Sequence, residues 1–168
     1  MNEVARRHTV MEDSPIGSLI LVAEGDSITG VYWKGDGDID EAHGAPTKVD
    51  ALLAAMQTQL AEYFAGNRHE FDLPLHPVGT DFQQRVWSAL LQIPYGDTWS
   101  YLQLAQFVGS PRGSRAVGLA NGRNPIPVVI PCHRVVGSNG SLTGYGGGMQ
   151  RKRTLLALEA SGSGRALF

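Results

Sequence analysis

The first third of the chain alternates short apolar runs with turn-forming residues, a pattern typical of β-strands. Strand-like residues begin near position 9 and continue to position 33. Within them, the β-rich runs at 18–23 and 28–33 flank the turn sequence Glu-Gly-Asp-Ser, which predicts a hairpin. Residues 34–48 are rich in glycine, aspartate and proline and are predicted to form a loop.

A helix is predicted from residue 50 to residue 64, because apolar positions recur there at three- and four-residue spacing. Asp50 is expected to cap its start and Gly66 to end it. Two prolines within residues 71–77 then predict an extended connector, and we expect a domain boundary near residue 78. The expected apolar stripe of the helix consists of Leu53, Met56, Leu60 and Phe64.

The second half contains two matches to the capping box, in which a hydroxyl side chain precedes a glutamine at the third position. Thr80 and Ser100 are the hydroxyl residues, and they predict helices over 80–91 and 100–108. Gly109 is expected to end the second helix, and Ser110-Pro111 to start another. Two short helices joined by a glycine-containing turn indicate a helix-turn-helix, although an ordinary helix hairpin fits the pattern equally well.

These elements predict an α+β chain of two domains. Residues 1–78 would form a small antiparallel sheet with one helix, and residues 79–168 a mostly helical domain containing the helix-turn-helix.

Composition narrows the class of protein. The 168 residues are 42% hydrophobic and 18% charged, a balance typical of folded globular chains. No apolar run approaches the roughly 20 residues of a membrane span, and no apolar stretch follows the N-terminus as in a secretory signal. We therefore expect a cytoplasmic protein with no membrane partner. The single cysteine excludes an internal disulfide and a cysteine-rich zinc site, and the histidines lack ligand spacing, so no metal is expected.

The net charge of −2 hides an asymmetry between the two halves. Residues 1–99 hold 6 basic and 15 acidic residues, whereas residues 100–168 hold 8 basic residues and one acid, Glu159. This distribution suggests that only the C-terminal part meets a polyanion such as DNA. Chance clustering of solvated charge is the alternative interpretation.

The densest chemical signal surrounds Cys132. Three prolines bracket the apolar run at 124–131, so the backbone leading to the thiol is expected to be extended and stiff. His133 and Arg134 follow directly, and cations lower the pKa of a nearby thiol, so we expect an enlarged thiolate fraction. The alternative is an inert, buried cysteine.

The pentapeptide Pro-Cys-His-Arg-Val at 131–135 resembles the active-site signature of the O6-alkylguanine-DNA alkyltransferases, also called methylated-DNA–protein-cysteine methyltransferases. The resemblance covers residues 80–160 and is looser in the N-terminal half, through residues 13–17. A cysteine/histidine zinc site found in the N-terminal domain of some members is excluded here in that form by the single cysteine. The other matching segments are 115–118 and 124–125 (recognition helix and asparagine hinge), 100–101 (the first helix with its tyrosine), 144–148 (substrate loop), and Lys152 with 155–159 (last helix).

The resemblance implies repair of O6-alkylguanine, and also O4-alkylthymine, in duplex DNA by irreversible alkyl transfer to Cys132. The protein would act once, without a cofactor, on a base flipped out of the helix. It would bind as a monomer in the minor groove, and cooperative binding along DNA is left open.

The resemblance also assigns roles to six catalytic candidates. Cys132 would attack the alkyl carbon, His133 would deprotonate the thiol through a water, and Glu159 would hold the imidazole. Tyr101 would hydrogen-bond or protonate the guanine N3, and Asn124 would brace the turn before the cysteine. The sixth candidate is Lys152, near the substrate loop, for which a plain surface charge is the competing interpretation.

For DNA binding, the resemblance implies that Arg115 fills the space left by the flipped nucleotide. Small residues on the recognition helix suit close, sequence-tolerant approach to the groove. The DNA-binding candidates are Arg112, Gly113, Ser114, Arg115, Gly118 and Arg123, and those of the alkylguanine pocket are Tyr101, Val135, Tyr145, Gly146 and Gly147.

Two other functions remain as alternatives. Alkyltransferase-like proteins bind alkylated DNA without repairing it, but they lack the acceptor cysteine that this chain has. A cysteine hydrolase would use Cys132 and His133, yet neighbouring residues rarely form such a pair and no nucleophile elbow is present.

Overall fold

The computed structural model describes residues 6–35, 48–142, 145 and 148–164. The chain divides into two compact units, residues 1–77 and 78–168. Most of the loop predicted over 34–48 lies outside the described residues, as do Gly146 and Gly147. Among the described helices, none combines the length and the apolar character needed to cross a bilayer.

The N-terminal unit is built on a three-stranded antiparallel sheet. Its strands are β1 (Arg6–Ser14), β2 (Gly17–Glu24) and β3 (Ser27–Trp33), arranged in that order. The predicted hairpin is confirmed, and Gly25 supplies the positive φ of +58° at its turn. Most of β2 is buried, as expected for a central strand that is covered by a helix.

Helix α1 (Ala51–Phe64) packs on β1 and β2. The cap at Asp50 is confirmed, because its carboxylate accepts a hydrogen bond from the backbone N–H of Leu53. Gly66 follows the helix with a φ of +82°. The predicted apolar stripe is wrong at its end. Tyr63, three residues after Leu60, is the buried aromatic, while Phe64 lies at the edge of the stripe and is only half-buried.

The connector over residues 71–77 is extended, as predicted, and it pairs with strand β3. The backbone N–H of Ile28 donates to the Pro74 carbonyl, and the N–H of His76 donates to the Ile28 carbonyl, both at 2.8 Å. The connector therefore pairs with β3 as a short edge segment, although two of its residues are prolines.

The C-terminal unit is mostly helical. Both capping boxes are present as predicted, at Thr80 and at Ser100. Strands β4 and β5 pair in parallel, which places the start of α3 beside the residues that follow Cys132. The elements are α2 (Asp81–Leu90), β4 (Trp99–Ser100), α3 (Tyr101–Phe107), α4 (Ser114–Gly122), a 3-10 turn (Cys132–Arg134), β5 (Val135–Val136) and α5 (Met149–Gly162).

Helices α3 and α4 pack against each other and on α2, as a helix-turn-helix requires. The predicted start of α4 at Ser110-Pro111 is wrong, because the helix begins at Ser114. Ser110 instead completes the end of α3, where its N–H donates to the Ala105 carbonyl at 2.8 Å beside Gly109, whose φ is +80°. The residues that follow form a turn instead of a helix, in which the Gly113 N–H donates to the Ser110 carbonyl at 2.7 Å.

Candidate active site

A braced loop leads to the cysteine. The Asn124 side chain holds both ends of the loop, since its Nδ2 donates to the Ile130 carbonyl at 2.7 Å and its Oδ1 accepts from the Ile126 N–H at 2.9 Å. Within the loop, Val128 adopts a φ of +74°, a conformation that β-branched residues rarely take. The side-chain amide and the prolines together fix where Cys132 begins the 3-10 turn.

Cys132 is buried, with 4% of its surface exposed. Burial raises the pKa of its thiol to about 11, and the opposing influences of Asn124 and Lys152 do not overcome it. The expectation of an enlarged resting thiolate fraction is therefore wrong. The reason is that sequence shows neighbouring cations but does not show the loss of water around the sulfur. The thiol is protonated at neutral pH, and a base must remove its proton for it to react.

His133 and Glu159 form a buried pair beside the cysteine. The imidazole Nε2 lies 2.6 Å from the Glu159 Oε2, and both side chains are almost wholly inaccessible to solvent. Burial lowers the pKa of His133, although Glu159 opposes this change, so the imidazole is neutral at pH 7. A neutral ring that donates from Nε2 to the carboxylate leaves Nδ1 as a proton acceptor, and Nδ1 has no hydrogen-bond partner among the described residues.

Arg134 is a site residue that the sequence interpretation misassigned. It does not serve the thiol but holds Glu159, with Nε donating to Oε1 at 2.7 Å and Nη2 to Oε2 at 3.0 Å. Its Nη1 donates to the Ile93 carbonyl at 2.6 Å. Burial alone would raise the pKa of Glu159, but His133 and Arg134 outweigh burial and hold that pKa well below its usual value. The carboxylate is thus ionised and fixed in orientation.

Lys152 is fully buried, which contradicts its interpretation as a surface charge. Its Nζ donates to the Val135 carbonyl at 2.6 Å. Burial lowers the pKa of this lysine, while attraction to Cys132 works in the other direction. The neighbouring Arg153, by contrast, is exposed. Attraction between the Lys152 ammonium and the sulfur favours negative charge on Cys132.

Two tyrosines frame the same region. Tyr101 begins α3 and packs against Gly118 of α4, so that a methyl group at Gly118 would lie 3.6 Å from the ring. Burial raises the pKa of Tyr145 well above its usual value, and Cys132 adds to the change. Val135, the third pocket candidate within the described residues, is fully buried.

The DNA-binding candidates lie on α4 and at its two ends. Arg112, Arg115 and Arg123 are exposed, whereas Gly113, Ser114 and Gly118 are half-buried. The arrangement presents three cations on and beside a short helix that is built mainly of small residues. It is suited to an anionic groove.

Asn121 is a buried residue of α4 that the sequence analysis did not single out. Its side chain is 1% exposed, and its Nδ2 donates to the Cys132 carbonyl at 3.3 Å. Nothing in the local sequence separates it from a solvent-facing asparagine near a helix end.

Family models match both units of the chain. Residues 7–77 match "6-O-methylguanine DNA methyltransferase, ribonuclease-like domain", and residues 81–161 match "6-O-methylguanine DNA methyltransferase, DNA binding domain".

Relatives and solved structures agree with these matches. The methylated-DNA–protein-cysteine methyltransferase of Mycobacterium tuberculosis is 51% identical over 150 residues, covering 89% of this chain and 90% of that protein. The constitutive methylated-DNA–protein-cysteine methyltransferase of Bacillus subtilis is 47% identical, covering 80% and 84%. A crystal structure of the M. tuberculosis O6-methylguanine methyltransferase superposes with a TM-score of 0.84 at 48% identity, covering 94% of each chain. A structure of the M. tuberculosis protein in complex with DNA gives 0.82 at 49% identity, covering 94% and 93%. The chain belongs to the 6-O-methylguanine DNA methyltransferase family.

Proposed function

We propose that this protein repairs DNA by transferring the alkyl group of O6-alkylguanine, and also of O4-alkylthymine, irreversibly to Cys132. The observation that carries the proposal is the buried Cys132 beside the neutral His133 and its carboxylate partner Glu159. A thiol that is protonated at rest, with a base next to it, is suited to one displacement that begins only when substrate is in place.

The chemistry balances as a single in-line displacement. The thiol proton passes to Nδ1 of His133 by way of a water, and the sulfur lone pair forms the new bond to the alkyl carbon. The bond between that carbon and O6 breaks, and its electrons leave with the guanine. The resulting imidazolium is stabilised by the ionised Glu159. The proton later compensates the charge on guanine, so the products are S-alkylcysteine and the unmodified base.

Departure of the guanine requires that its developing charge be stabilised. We propose that the Tyr101 hydroxyl hydrogen-bonds or protonates the ring N3, and that Val135, Tyr145 and the glycines at 146 and 147 enclose the base. Lys152 would favour the thiolate, and would also hold the segment after the cysteine through the Val135 carbonyl. Asn124 would keep the loop before the cysteine in place.

The test of this function is intact-mass spectrometry after incubation with duplex DNA containing O6-methylguanine. We expect a mass gain of one methylene group, located on Cys132 by peptide mapping, and one repaired base per protein molecule. Repeated turnover, or an adduct elsewhere on the chain, would contradict the proposal.

The proposed DNA-binding surface consists of α4 and the residues that flank it. We propose that this helix lies in the minor groove of duplex DNA and that Arg115 fills the space vacated by the flipped nucleotide. The exposure of Arg112, Arg115 and Arg123 supports contact with phosphates or with the groove. The protein would work as a monomer, in the cytoplasm, and residues 1–78 would support the domain at 79–168 that carries every candidate described above.

Arg115→Ala separates the flipping step from the chemistry. We expect repair of O6-alkylguanine in duplex DNA to fall by about 10- to 100-fold, because unstacking a base costs a few kcal/mol that the finger offsets. Reaction with free O6-benzylguanine, which needs no flipping, should stay within about twofold of the wild-type rate. Single-turnover rate constants on both substrates give the comparison.

The matched control is Arg153→Ala, which removes an exposed arginine outside α4 and should leave both rates unchanged. Equal losses on the duplex and on the free base would argue against a finger role for Arg115.

The non-repairing, alkyltransferase-like function is disfavoured by Cys132 itself, since such proteins lack the acceptor thiol. A hydrolase is disfavoured because His133 follows the cysteine directly in sequence and the chain has no nucleophile elbow.

A further inference from the structure

Asn121 is a buried amide on a face of α4 that is otherwise apolar. Its buried neighbours on the helix are Val117 and Ala120, and only 1% of Asn121 is exposed. A polar side chain in such a place is unfavourable unless its donors and acceptors are used. Half of this requirement is met, because Nδ2 donates to the Cys132 carbonyl at 3.3 Å.

That hydrogen bond fixes which way the amide faces. Reversing it would bring Oδ1 against the Cys132 carbonyl, placing two acceptors together, so Nδ2 must be the atom on that side. Oδ1 is then the acceptor on the other side, where it is buried and has no hydrogen-bond donor among the described residues.

A second buried acceptor flanks the same cysteine. Nδ1 of His133 is left as an acceptor by the bond between Nε2 and Glu159, and it also lacks a donor within the described part of the chain. Two acceptors cannot satisfy each other, and the Cys132 thiol offers a single S–H. One water molecule has the complementary set, because it donates two hydrogen bonds and accepts others, and buried waters typically make about three.

Resting on the function proposed above, we infer that Asn121 is a positioning residue whose Oδ1, together with Nδ1 of His133, holds the water that relays the Cys132 proton. The water donates one hydrogen to each acceptor, so its lone pairs face the thiol. When the sulfur attacks, the S–H proton moves to the water, and the hydrogen directed at Nδ1 moves to His133. The water is regenerated, and Asn121 neither gains nor loses a proton.

This arrangement predicts a particular pH dependence. The wild-type transfer rate should be flat from about pH 7 to pH 9, because the base is neutral and the thiol is protonated throughout that range. Asn121→Leu removes the anchor of the water while retaining bulk. We expect transfer at pH 7 to be about 10- to 100-fold slower than in the wild type. The rate should rise with pH, because the variant without the relay reacts through the fraction of Cys132 that is already ionised.

Asn121→Asp tests the same atoms from the opposite direction. A buried carboxyl tends to be protonated, and the neutral acid offers one donor and one acceptor in the positions of the amide. We expect its rate at pH 6 to lie within about threefold of wild type, and to fall as the carboxyl ionises at higher pH. The two variants should therefore have pH profiles of opposite slope.

The measurement is the single-turnover rate constant on duplex DNA containing O6-methylguanine, at subsaturating and at saturating DNA, from pH 6 to pH 9.5. Val117→Ala is the matched control, because it loosens the same buried face without altering a polar group, and its profile should stay flat. Thermal unfolding of each variant shows whether it is folded over the range.

Three results would overturn the inference. One is a wild-type rate for Asn121→Leu, and another is a loss that is equal at every pH, which would indicate that the amide only shapes the site. The third is a defect that vanishes at saturating DNA, which would place Oδ1 on the substrate. If the wild-type protein itself failed to take up the methyl group, the proposed function would fail first, and these comparisons would not apply.

Discussion

Replacement of Cys132 by serine is expected to abolish alkyl transfer. The serine hydroxyl is far less acidic than the thiol and a much poorer nucleophile toward an alkyl carbon, so we expect the rate to fall by at least about a thousandfold. After incubation with duplex DNA containing O6-methylguanine, intact-mass spectrometry should detect no methylated protein. The result would be unambiguous because the chain contains no other cysteine.

The Cys132→Ser variant also separates binding from chemistry. The substitution is nearly isosteric, so affinity for the same duplex should remain within about threefold of wild type. Loss of DNA binding would indicate that the substitution disturbed the fold, and Cys132→Ala would then replace it. Full repair by a variant without the thiol would refute the assignment of Cys132 as acceptor.

Glu159→Gln is expected to affect both stability and rate. The substitution leaves the buried Arg134 guanidinium without its carboxylate, and breaking a buried ion pair typically costs about 3–5 kcal/mol. The transfer rate should fall by about 100-fold or more, because the imidazolium formed during transfer loses its counter-charge. Urea unfolding and single-turnover kinetics on duplex DNA measure the two effects.

The chain offers a matched surface pair as control. Glu62 lies 3.1 Å from Arg68 in a partly exposed ion pair, so Glu62→Gln should cost no more than about 1 kcal/mol and leave the rate unchanged. The double variant Glu159→Gln/Arg134→Gln should recover part of the stability, since neither charge is left alone, but not the rate. A Glu159→Gln protein as stable as the Glu62→Gln protein would contradict the buried-pair argument.

Protonation of Glu159 and His133 is expected to contribute to the unfolding of the wild-type protein in acid. The pKa of Glu159 is lower in the folded chain than its ordinary value of 4.5, so its contribution is complete above that value and is lost as the pH falls below it. The pKa of His133 is lowered from 6.5, which adds a loss of stability as the pH falls below 6.5. Glu159→Gln should weaken the dependence of the unfolding midpoint on pH below about 4.5.

Features governed by neighbouring residues could be predicted from the sequence. The capping boxes at Thr80 and Ser100 depend on groups three residues apart, and the hairpin before Trp33 depends on a short turn. Ser110 illustrates the limit of this reasoning, because a serine before a proline is equally compatible with ending one helix or starting the next. In the structure, Ser110 ends α3, because its N–H donates to the Ala105 carbonyl.

The chemistry of the site was less accessible, because it depends on burial and on partners distant in sequence. The state of Cys132 depends on lost hydration, which no neighbouring residue reveals. Arg134 was attributed to the thiol because it lies two residues after Cys132, whereas its partner Glu159 is 25 positions away. Glu159 itself was found only through a family resemblance, and Asn121 was not found at all.

Val128 lies in the loop that holds the nucleophile in place. A valine at a φ of +74° is strained, at a cost of the order of 1–3 kcal/mol, and the loop around it is closed by two hydrogen bonds from Asn124. The hydrogen bonds that offset this strain lie within the chain, so the loop needs no contact outside the protein to hold its conformation. The acceptor is therefore preorganised, so an encounter with a lesion need not also order the loop. We propose that each molecule reacts only once. A rigid loop of this kind favours rapid reaction at that single encounter.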